Sequence, residues 1–382
     1  MAGIHLRSGI LYFAGFVGYL AGSIVFPIIA PYSMKLGANA FWAGVISGGF
    51  ALVTSLTMVL FGMIADRFGK YRTSLIGFSL FIVAPLFYIV SRNYIELLLA
   101  RFLHGLAMAI FVPAINALVI DLSEEGRKGE ALGWIATFTM LGYAFGPSIG
   151  GYVAEVFGVR EVFISCSIVA VIGFVPFLLF RVDERRGSFG FEFDLDKKAM
   201  FAAMVPFFAT FGSAVISIYS IPLYLPRLGY DYRDIGFLVT FLFLSSALVR
   251  VPAGKLSDSI GRLPVIVFGL VIEAIGIFLF LSQSFYAIAL GTFLTGLGMG
   301  FANPAGFALL SDLVSPEHQG FAMGASSTSL QLAVFLGPAI MGYVTETYGF
   351  SFVFILSGMF TALSAVVYLV LSRFIINKPK FK

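Results

Sequence analysis

Two stretches of this chain read Gly62-Met-Ile-Ala-Asp66-Arg67-Phe-Gly69-Lys70 and Gly254-Lys-Leu-Ser-Asp258-Ser-Ile-Gly261-Arg262. Both fit the pattern G-x-x-x-D-x-x-G-(K/R), both lie between long apolar runs, and their aspartates are 192 residues apart. Other marks recur at an offset of 191 residues: Gly105 with Gly296, Pro113 with Pro304, Asp121 with Asp312, Gly133 with Gly324, and Gly146-Pro147 with Gly337-Pro338. The chain is therefore one hydrophobic half written twice, an organisation that is typical of secondary transporters.

The composition excludes a soluble globular protein. Hydrophobic residues make up 59% of the 382 residues and charged residues 12%, against roughly 45–50% and 25% in soluble domains. The net charge of +4 comes from basic residues spread over short loops, so we expect no nucleic-acid partner. Cys166 is the single cysteine, which excludes an intramolecular disulfide, and its apolar surroundings indicate a packing residue.

The sequence contains no arrangement of residues that is typical of an enzyme. Three histidines and one cysteine are scattered without metal-ligand spacing, and there is no G-x-x-x-x-G-K-(S/T) phosphate loop. We therefore expect a protein that is not an enzyme and binds neither a metal nor another cofactor. Its energy source is expected to be an ion gradient rather than ATP.

Apolar runs of roughly 18–25 residues are long enough to cross a bilayer as helices. The sequence predicts an all-α integral membrane protein with twelve such spans, at about 9–31, 41–63, 73–91, 95–120, 130–155, 160–181, 198–226, 234–256, 264–282, 286–311, 318–345 and 350–374. They divide into an N-terminal six-helix bundle (1–181), a charged linker (182–197) and a C-terminal six-helix bundle (198–382). Lys and Arg are far more frequent in the loops on one side, and this bias predicts that both termini and the linker are cytoplasmic.

Twelve spans in two halves, with the same loop pattern after the second span of each, resemble the major facilitator superfamily over essentially the whole chain. The resemblance implies two pseudo-symmetric bundles and a gating latch in each half, whose glycines permit tight helix contact and whose charges pair with a neighbouring helix. Because Ser259 replaces the arginine of the second copy, the first latch is expected to be the stronger. The latch positions are Gly62, Asp66, Arg67, Gly69, Lys70, Arg72, Asp121, Gly254, Asp258, Gly261, Arg262 and Asp312.

Span 5 carries a second pattern, Gly142-Tyr-Ala-Phe-Gly146-Pro147-Ser-Ile-Gly150-Gly151. It resembles the G-x-x-x-G-P-x-x-G-G motif of the superfamily's 12-helix drug:proton antiporters. Glycines at this spacing allow close helix packing, and a proline removes one backbone hydrogen bond and permits a bend. The copy in span 11 keeps Gly337-Pro338, so these positions are expected to act mechanically.

Arg101-Phe-Leu-His104-Gly105 in span 4 resembles a third signature of the superfamily, R-x-x-x-G. A cation at mid-depth in a membrane costs roughly 2.5–3.5 kcal/mol on insertion scales, so something should compensate it. Snorkelling to the membrane surface is one solution. We favour the other, in which Arg101 faces a central cavity and couples substrate binding to proton transfer. His104, one turn away, shares that polar site or bonds a backbone carbonyl.

Polar residues that differ between the two halves of the repeat are candidates for binding the substrate or the proton, because residues kept in both halves serve movements that both halves make. Arg101 and His104 correspond to Thr292 and Thr295, for example. With aromatic and amide side chains of the first, fourth and fifth helices of each half, they give the predicted substrate cavity: Tyr19, Arg101, His104, Asn116, Tyr143, Tyr219, Tyr224, Asn303 and Gln331.

Glu273 is the only acid near the middle of a predicted span, and an acid at that depth is a candidate for proton coupling. Its span is expected at the periphery of the bundle, which leaves protonation against lipid or pairing with a neighbouring helix as alternatives. Arg250 lies near the cytoplasmic end of span 8 and is interpreted as a structural contact to loop or lipid.

The sequence thus predicts a secondary active transporter that works as a monomer in the cell membrane, more narrowly the cell inner membrane. Its expected partners are the lipid bilayer, a small molecule and protons. Efflux of a lipophilic or amphiphilic compound by proton antiport is favoured by the span 5 motif. Uptake of a sugar or organic acid by proton symport is the alternative, and Arg101 as a carboxylate clamp would serve it. A receptor or scaffold would be expected to carry a large soluble domain or tail, and the sequence predicts only short termini beside its spans, so we do not favour this alternative.

Overall fold

The computed structural model describes residues 2–124, 127–180, 197–315 and 319–376, and every element in these ranges is helical. The first half comprises Ala2–Ser23 with Phe26–Lys35 (span 1), Ala40–Phe68 (span 2), Lys70–Val90 (span 3), Tyr94–Asp121 (span 4), Lys128–Val156 (span 5) and Val159–Leu179 (span 6). The second half comprises Lys197–Ala203, Val205–Ala214, Val215–Ser220, Ile221–Tyr224 and Leu225–Leu228 (together span 7), Tyr232–Ile260 (span 8), Arg262–Phe278 with Leu279–Ser282 (span 9), Phe285–Leu313 (span 10), Gln319–Tyr348 (span 11) and Phe350–Ile376 (span 12).

Among the described residues, eleven of these spans are long and apolar enough to cross a membrane. The remaining one, span 5, is a helix of 29 residues whose glycines, threonines and serine lower its hydropathy. It packs against spans 1 and 8 inside the bundle. The prediction of an all-α membrane protein is confirmed.

Spans 1 and 7 are interrupted inside the bundle at matching positions. Span 1 leaves the helix at Ile24 and Val25, and span 7 becomes a π-helix over Val215–Ser220, which begins 191 residues after Ile24. Pro27 lies in the first turn of the helix that follows the break in span 1, and Pro222 lies in the first turn of the helix that follows the π-helix in span 7. Since proline lacks the N–H that the helix needs, the preceding turn has to rearrange. The first helix of each half therefore breaks for a reason that is present in the sequence.

The duplication is also visible in the backbone. Six glycines of the described residues have positive φ, and they form three pairs in matching loops: Gly37 (91°) with Gly229 (87°), Gly69 (107°) with Gly261 (97°), and Gly158 (116°) with Gly349 (82°). Within each pair the offset is 191 or 192 residues. A side chain is strained at these angles, so both halves use glycine to turn the chain at the same places.

Each half packs as a bundle, and the halves meet along two helix pairs. In the first half span 4 contacts spans 2 and 3, and span 1 contacts spans 5 and 6; in the second, span 10 contacts spans 7, 8 and 9. Between the halves, span 2 packs on span 11 and span 5 packs on span 8. Buried apolar residues form one cluster within each half and a third that both halves share.

The bundle has a loop end and a distal end. The loop end carries Gly69 and Gly261, and the distal end carries Asn39 and Glu346. The predicted linker, 182–197, lies outside the described residues except for Lys197, at which span 7 begins.

Candidate functional site

A cavity of about 380 Å³ lies between the two halves. Its described walls come from spans 1, 2, 4 and 5 and from spans 7, 8, 10 and 11. The first, fourth and fifth helices of each half line the cavity as predicted, and the second helix of each half lines it as well. The lining residues are Tyr19, Phe50, Thr54, Met58, Met108, Val112, Asn116, Ala136, Thr139, Met140, Tyr143, Thr210, Ser213, Ala214, Ser217, Ile218, Phe243, Arg250, Met299, Asn303, Ser327, Leu330, Gln331 and Val334.

The two halves line this cavity with the same positions of the repeat. Eight pairs of lining residues match at an offset of 191 or 192: Tyr19 with Thr210, Met58 with Arg250, Met108 with Met299, Val112 with Asn303, Ala136 with Ser327, Thr139 with Leu330, Met140 with Gln331, and Tyr143 with Val334. The cavity is therefore pseudo-symmetric in shape, and its chemistry differs between the halves only through the side chains.

Five of the nine predicted cavity residues lie on its wall: Tyr19, Asn116, Tyr143, Asn303 and Gln331. Tyr219 lies instead near the distal end, where its hydroxyl donates to the backbone oxygen of Ala40 at 3.4 Å. Tyr224 packs against the rings of Phe350 and Phe354 in span 12. Placing these two tyrosines in the cavity was wrong because span 7 directs them to its neighbours.

Arg101 is buried among spans 2, 3 and 4, with 1% of its surface exposed, and is not part of the cavity wall. Its Nε donates to the carbonyl oxygen of Ile46 at 3.1 Å and its Nη2 to that of Ser47 at 2.7 Å. Its guanidinium carbon is 4.6 Å from the centre of the Phe50 ring. The expectation that Arg101 faces the cavity is wrong, because carbonyl groups and an aromatic face take the place of water around its charge. Arg101 fastens span 4 to span 2.

His104 belongs to the same buried cluster and also lies outside the cavity wall. Its Nδ1 is 2.8 Å from the hydroxyl oxygen of Tyr88, which is 3.5 Å from Nη1 of Arg101. An arginine only donates, so the tyrosine oxygen accepts from Arg101 and its O–H is free to donate to Nδ1. That arrangement requires a neutral imidazole with its proton on Nε2. The prediction that His104 lines the cavity is wrong, because Tyr88 of span 3 holds its ring inside the first half.

The interpretation of Arg250 as a structural contact to loop or lipid is wrong. The structure places it on the cavity wall rather than in contact with a loop or with lipid. The sequence contains a signal that identifies it, since its repeat partner 192 residues earlier is Met58. A cation that replaces a methionine breaks the repeat in the same way as the other candidates do.

The distal side of the cavity is closed by glycine contacts between spans 2 and 11. A Cβ atom added to Gly44 would collide with the carbonyl oxygen of Pro338, and one added to Gly48 would lie 2.6 Å from the carbonyl oxygen of Val334. In span 2 both glycines precede the lining residues, of which Phe50 is the first. Backbones this close leave no room for a solute at the distal end of the cavity.

The closure is repeated between spans 5 and 8. Added Cβ atoms on Gly151 and Gly236 would collide with the backbone of the opposite span, the latter at the carbonyl oxygen of Pro147. The Ser148 hydroxyl also lies 2.8 Å from the Thr240 hydroxyl across the interface. Both pairs of helices that join the halves are therefore tightly packed at the distal end.

The glycines of the span 5 motif pack mainly on span 1. Added Cβ atoms on Gly142, Gly146 and Gly150 would each collide with span 1, and the Ser23 hydroxyl donates to the carbonyl oxygen of Gly142 at 3.3 Å. In the second half Gly337 lies against span 7, where its added Cβ would be 3.1 Å from the oxygen of Phe211. The span 5 motif thus contacts span 1 of its own half and span 8 of the other half. It lies at the interface between the two halves.

At the loop end the halves approach less closely. Cβ atoms added to Gly133 and Gly254 would meet nothing within 4 Å, and one added to Gly324 would meet only the side chain of Val59 at 4.0 Å. The described part of the cavity is therefore shut at the distal end and faces the loop end.

The first latch loop contains an ion pair that joins it to span 4. Nζ of Lys70 is 2.6 Å from Oδ2 of Asp121 and 3.7 Å from Oδ1 of Asp66. Arg67 and Arg72 are exposed and belong to none of the ion pairs between described residues. Lys70 is thus the centre of this latch.

The second latch repeats the arrangement with an arginine. Nε of Arg262 is 2.9 Å from Oδ2 of Asp312 in span 10, and the guanidinium also pairs with Asp258. Each half therefore has its own loop-to-helix ion pair at corresponding positions.

The first glycine of each latch makes no tight helix contact. A Cβ added to Gly62 would meet Pro113 at 3.7 Å, an ordinary contact distance, and one added to Gly254 would meet nothing within 4 Å. The expectation of close packing is wrong at these two positions because the neighbouring helix lies too far away. Gly69 and Gly261 are required for a different reason, their positive φ.

Replacing Asp121 by Asn is expected to slow turnover about fivefold, because a partly exposed ion pair of this kind contributes on the order of 1 kcal/mol. Turnover in reconstituted vesicles measures the effect. Arg127→Gln is the matched control, since Arg127 pairs with Glu124 and Glu130 at the exposed loop end without joining two spans. Equal rates for Asp121→Asn and the unchanged protein would remove the ion pair from the gating mechanism.

Glu273 is fully buried and faces into the second half rather than towards lipid. Its Oε1 accepts the backbone N–H of Ser213 in span 7 at 2.8 Å, while Oε2 has no partner among the described residues. Ser213 also lines the cavity. One residue therefore separates a buried carboxyl group from the space between the halves.

The fold and this cavity correspond to a known family of proteins. The model of the Major Facilitator Superfamily matches residues 11–232 and again 202–381. The chain belongs to the Major Facilitator Superfamily. It is a multi-pass membrane transporter and not an enzyme.

Relatives with curated names agree with this assignment. An uncharacterized MFS-type transporter of Methanocaldococcus jannaschii is 24% identical over 373 residues, which cover 94% of this chain and 96% of the relative. The quinolone resistance protein NorA of Staphylococcus aureus is 26% identical over 353 residues, covering 89% of this chain and 90% of NorA.

Solved structures show the same superfamily fold. The nucleoside transporter NupG has a TM-score of 0.79 at 12% identity, with 96% of this chain and 99% of that chain covered. A bacterial homolog of the human lysosomal transporter Spinster, in an inward-facing and occupied conformation, also has a TM-score of 0.79, at 16% identity and with 96% of each chain covered. At these identities the likeness concerns the fold alone.

Proposed function

We propose that this transporter exports a small lipophilic or amphiphilic compound in exchange for protons, by alternating access. The loop end and both termini then lie in the cytoplasm, as the distribution of Lys and Arg favours. The halves of residues 1–181 and 198–382 rock about the cavity, with the segment between them as linker. The protein acts as a monomer, since the cavity needs only the two halves of one chain.

The observation that carries this proposal is a cavity with apolar and aromatic walls that is shut at one end only. Tyr19, Phe50, Tyr143 and Phe243 contribute rings to the wall. Ring faces and methionine side chains bind apolar compounds through burial and adapt to different shapes. A solute entering from the cytoplasm would reach this space directly, as export requires.

Sequence similarity supports the same direction of transport. The relatives include the quinolone resistance protein NorA, and the similarity covers nine tenths of both chains. The span 5 motif, which packs spans 1 and 8 together, resembles that of drug:proton antiporters. Both observations favour export over uptake.

Glu273 is our candidate for the group that carries the proton. Its Oε2 is buried and has no hydrogen-bond partner among the described residues, and an acid at this depth in a span is a candidate for proton transfer. Ser213 connects its Oε1 to the cavity wall through the backbone of span 7. Movement of span 7 during transport would expose or withdraw this carboxyl group. Arg101, the other candidate, would act by holding span 4 to span 2.

Uptake of an organic acid by proton symport is the second candidate. The cation Arg250 on the cavity wall favours it, because a guanidinium binds carboxylates.

Proton flux in proteoliposomes tests the proposal. With a pH-sensitive dye inside and an imposed pH gradient, addition of an exported compound is expected to release protons from an acidic lumen. The panel comprises lipophilic cations, neutral drugs, aromatic carboxylates and sugars. Vesicles without protein report leakage of each compound.

Proton movement in the same direction as the solute would establish symport and contradict export by antiport. Solute movement that ignores the pH gradient would contradict proton coupling altogether.

A further inference from the structure

We propose that the cavity selects amphipathic organic anions, with Arg250 binding the anionic group and the opposite wall binding an apolar body. This inference deepens the proposed function by naming the class of its substrate. It rests on the charge, the partners and the placement of the residues that line the cavity.

Arg250 is a cation without a counter-ion in the described part of the protein. Its Nε is buried and has no hydrogen-bond partner among the described residues. None of the ion pairs between described residues includes it. This contrasts with Arg101, whose buried guanidinium is satisfied by two backbone carbonyls. Arg101 needs no ligand to satisfy its guanidinium, whereas the charge of Arg250 is unpaired in the part of the chain that the structure describes.

Among the described residues, the cavity wall contains no acid that would neutralise this charge. The described lining includes neither Asp nor Glu, so Arg250 gives it a net charge of about +1. A lipophilic cation entering the cavity would be repelled and would find no carboxylate. An anion would gain an attraction that strengthens as water leaves, because screening is weaker in a closed space.

Polar groups are concentrated on the wall of the second half. In four of the matched pairs the second half has the polar residue and the first half an apolar one: Met58 with Arg250, Val112 with Asn303, Ala136 with Ser327, and Met140 with Gln331. Nδ2 of Asn303 donates a hydrogen bond to the hydroxyl oxygen of Thr210 at 3.1 Å. Oδ1 of Asn303 has no partner among the described residues. The reverse holds in two pairs, Thr139 with Leu330 and Tyr143 with Val334. The first half also contributes Thr54 and Asn116, beside Tyr19 and three methionines.

This division matches a ligand with two unlike ends. Guanidinium, amide and hydroxyl groups donate hydrogen bonds to a carboxylate or sulfonate, and the charged donor contributes most. Methionine and tyrosine side chains bury an apolar or aromatic body. Since the two walls come from different halves, such a ligand would bridge them.

Equilibrium binding to the purified full-length protein tests the inference without any proton gradient. The probes share one naphthalene body and differ in their end group: naphthylacetate, naphthylacetamide and naphthylethylammonium. We expect the carboxylate to bind about tenfold more tightly than the ammonium compound, with the neutral amide between them.

The substitution Arg250→Met introduces the residue found at the matching position of the first half, Met58. It should abolish the preference for the carboxylate, while binding of the amide persists. Arg250→Lys should keep part of the preference, because the charge remains without the planar fork. Arg233→Gln is the matched control, since Arg233 pairs with Asp231 at the start of span 8, outside the cavity wall. It should leave all three affinities unchanged.

Ammonium binding as tight as carboxylate binding in the unchanged protein would overturn the inference. So would a carboxylate preference that survives in Arg250→Met, or the failure of all three probes to bind. Failure of proton antiport in vesicles would contradict the proposed function alone, because selective binding in detergent needs no transport.

Discussion

Replacing Gly44 by leucine is expected to hold the transporter open at its distal end and to stop turnover. In the structure an added Cβ at this position would collide with the backbone oxygen of Pro338, which cannot move aside as the end of a flexible side chain can. Overpacking of this kind costs about 1–3 kcal/mol, which shifts the balance between closed and open states by about 5- to 150-fold. The collision disappears when spans 2 and 11 separate, so the open state is the one that the variant favours.

Cysteine accessibility measures this shift. The buried native thiol is removed by Cys166→Ala, and Gln331→Cys places a reporter on the cavity wall. A membrane-impermeant maleimide added on the distal side should label the reporter much faster in the Gly44→Leu variant. Gly151→Leu, at the matching contact of spans 5 and 8, should have the same effect.

Gly133→Leu is the control for the added side chain itself, because a Cβ there would meet nothing within 4 Å. It should change neither labelling nor turnover. If distal labelling stayed slow in both the Gly44 and Gly151 variants while they remained folded, these glycine contacts would not form the distal gate.

Replacing Glu273 by Gln is expected to separate substrate movement from proton movement. The glutamine oxygen can still accept the N–H of Ser213, so the packing of spans 7 and 9 is preserved. The side chain can no longer gain or lose a proton. Transport driven by a pH gradient should therefore fall to background, whereas exchange of labelled for unlabelled substrate without a gradient should continue.

No other ionisable side chain lies close enough to take over this role in the described segments that pack on Glu273. The middle of span 7 contains only Tyr219, span 10 has Tyr286 and Asp312 at its two ends, and Tyr368 lies towards the end of span 12. Glu161→Gln is the matched control, since Glu161 is exposed at the start of span 6. Gradient-driven transport that survives in Glu273→Gln would exclude this carboxyl group as the proton carrier, and loss of exchange as well would indicate a structural role.

The sequence predicted the spans and the repeat well because both depend on local properties of the chain. The length and hydropathy of each apolar run decide whether it crosses a bilayer. Proline and glycine act through their own backbone, so Pro27 and Pro222 lie next to the interruptions of spans 1 and 7, and Gly69 and Gly261 form the turns with positive φ.

The direction in which a side chain points was harder to predict. Arg101 and Arg250 both lie within spans. From the sequence, Arg101 was predicted to face the cavity and Arg250 to make a structural contact to loop or lipid. The structure reverses both placements. Helical period alone gives relative faces, but the face that meets the cavity depends on how neighbouring helices are rotated and packed.

By itself the sequence determined the membrane class, the twofold repeat and the positions of the latch loops, because each of these follows from composition or from single residues. Only the tertiary structure decided which end of the cavity is closed, that Glu273 contacts span 7, and that Arg250 has no ion-pair partner among the described residues. Those features depend on contacts between helices far apart in the chain, and small differences in packing decide which buried charge finds a partner.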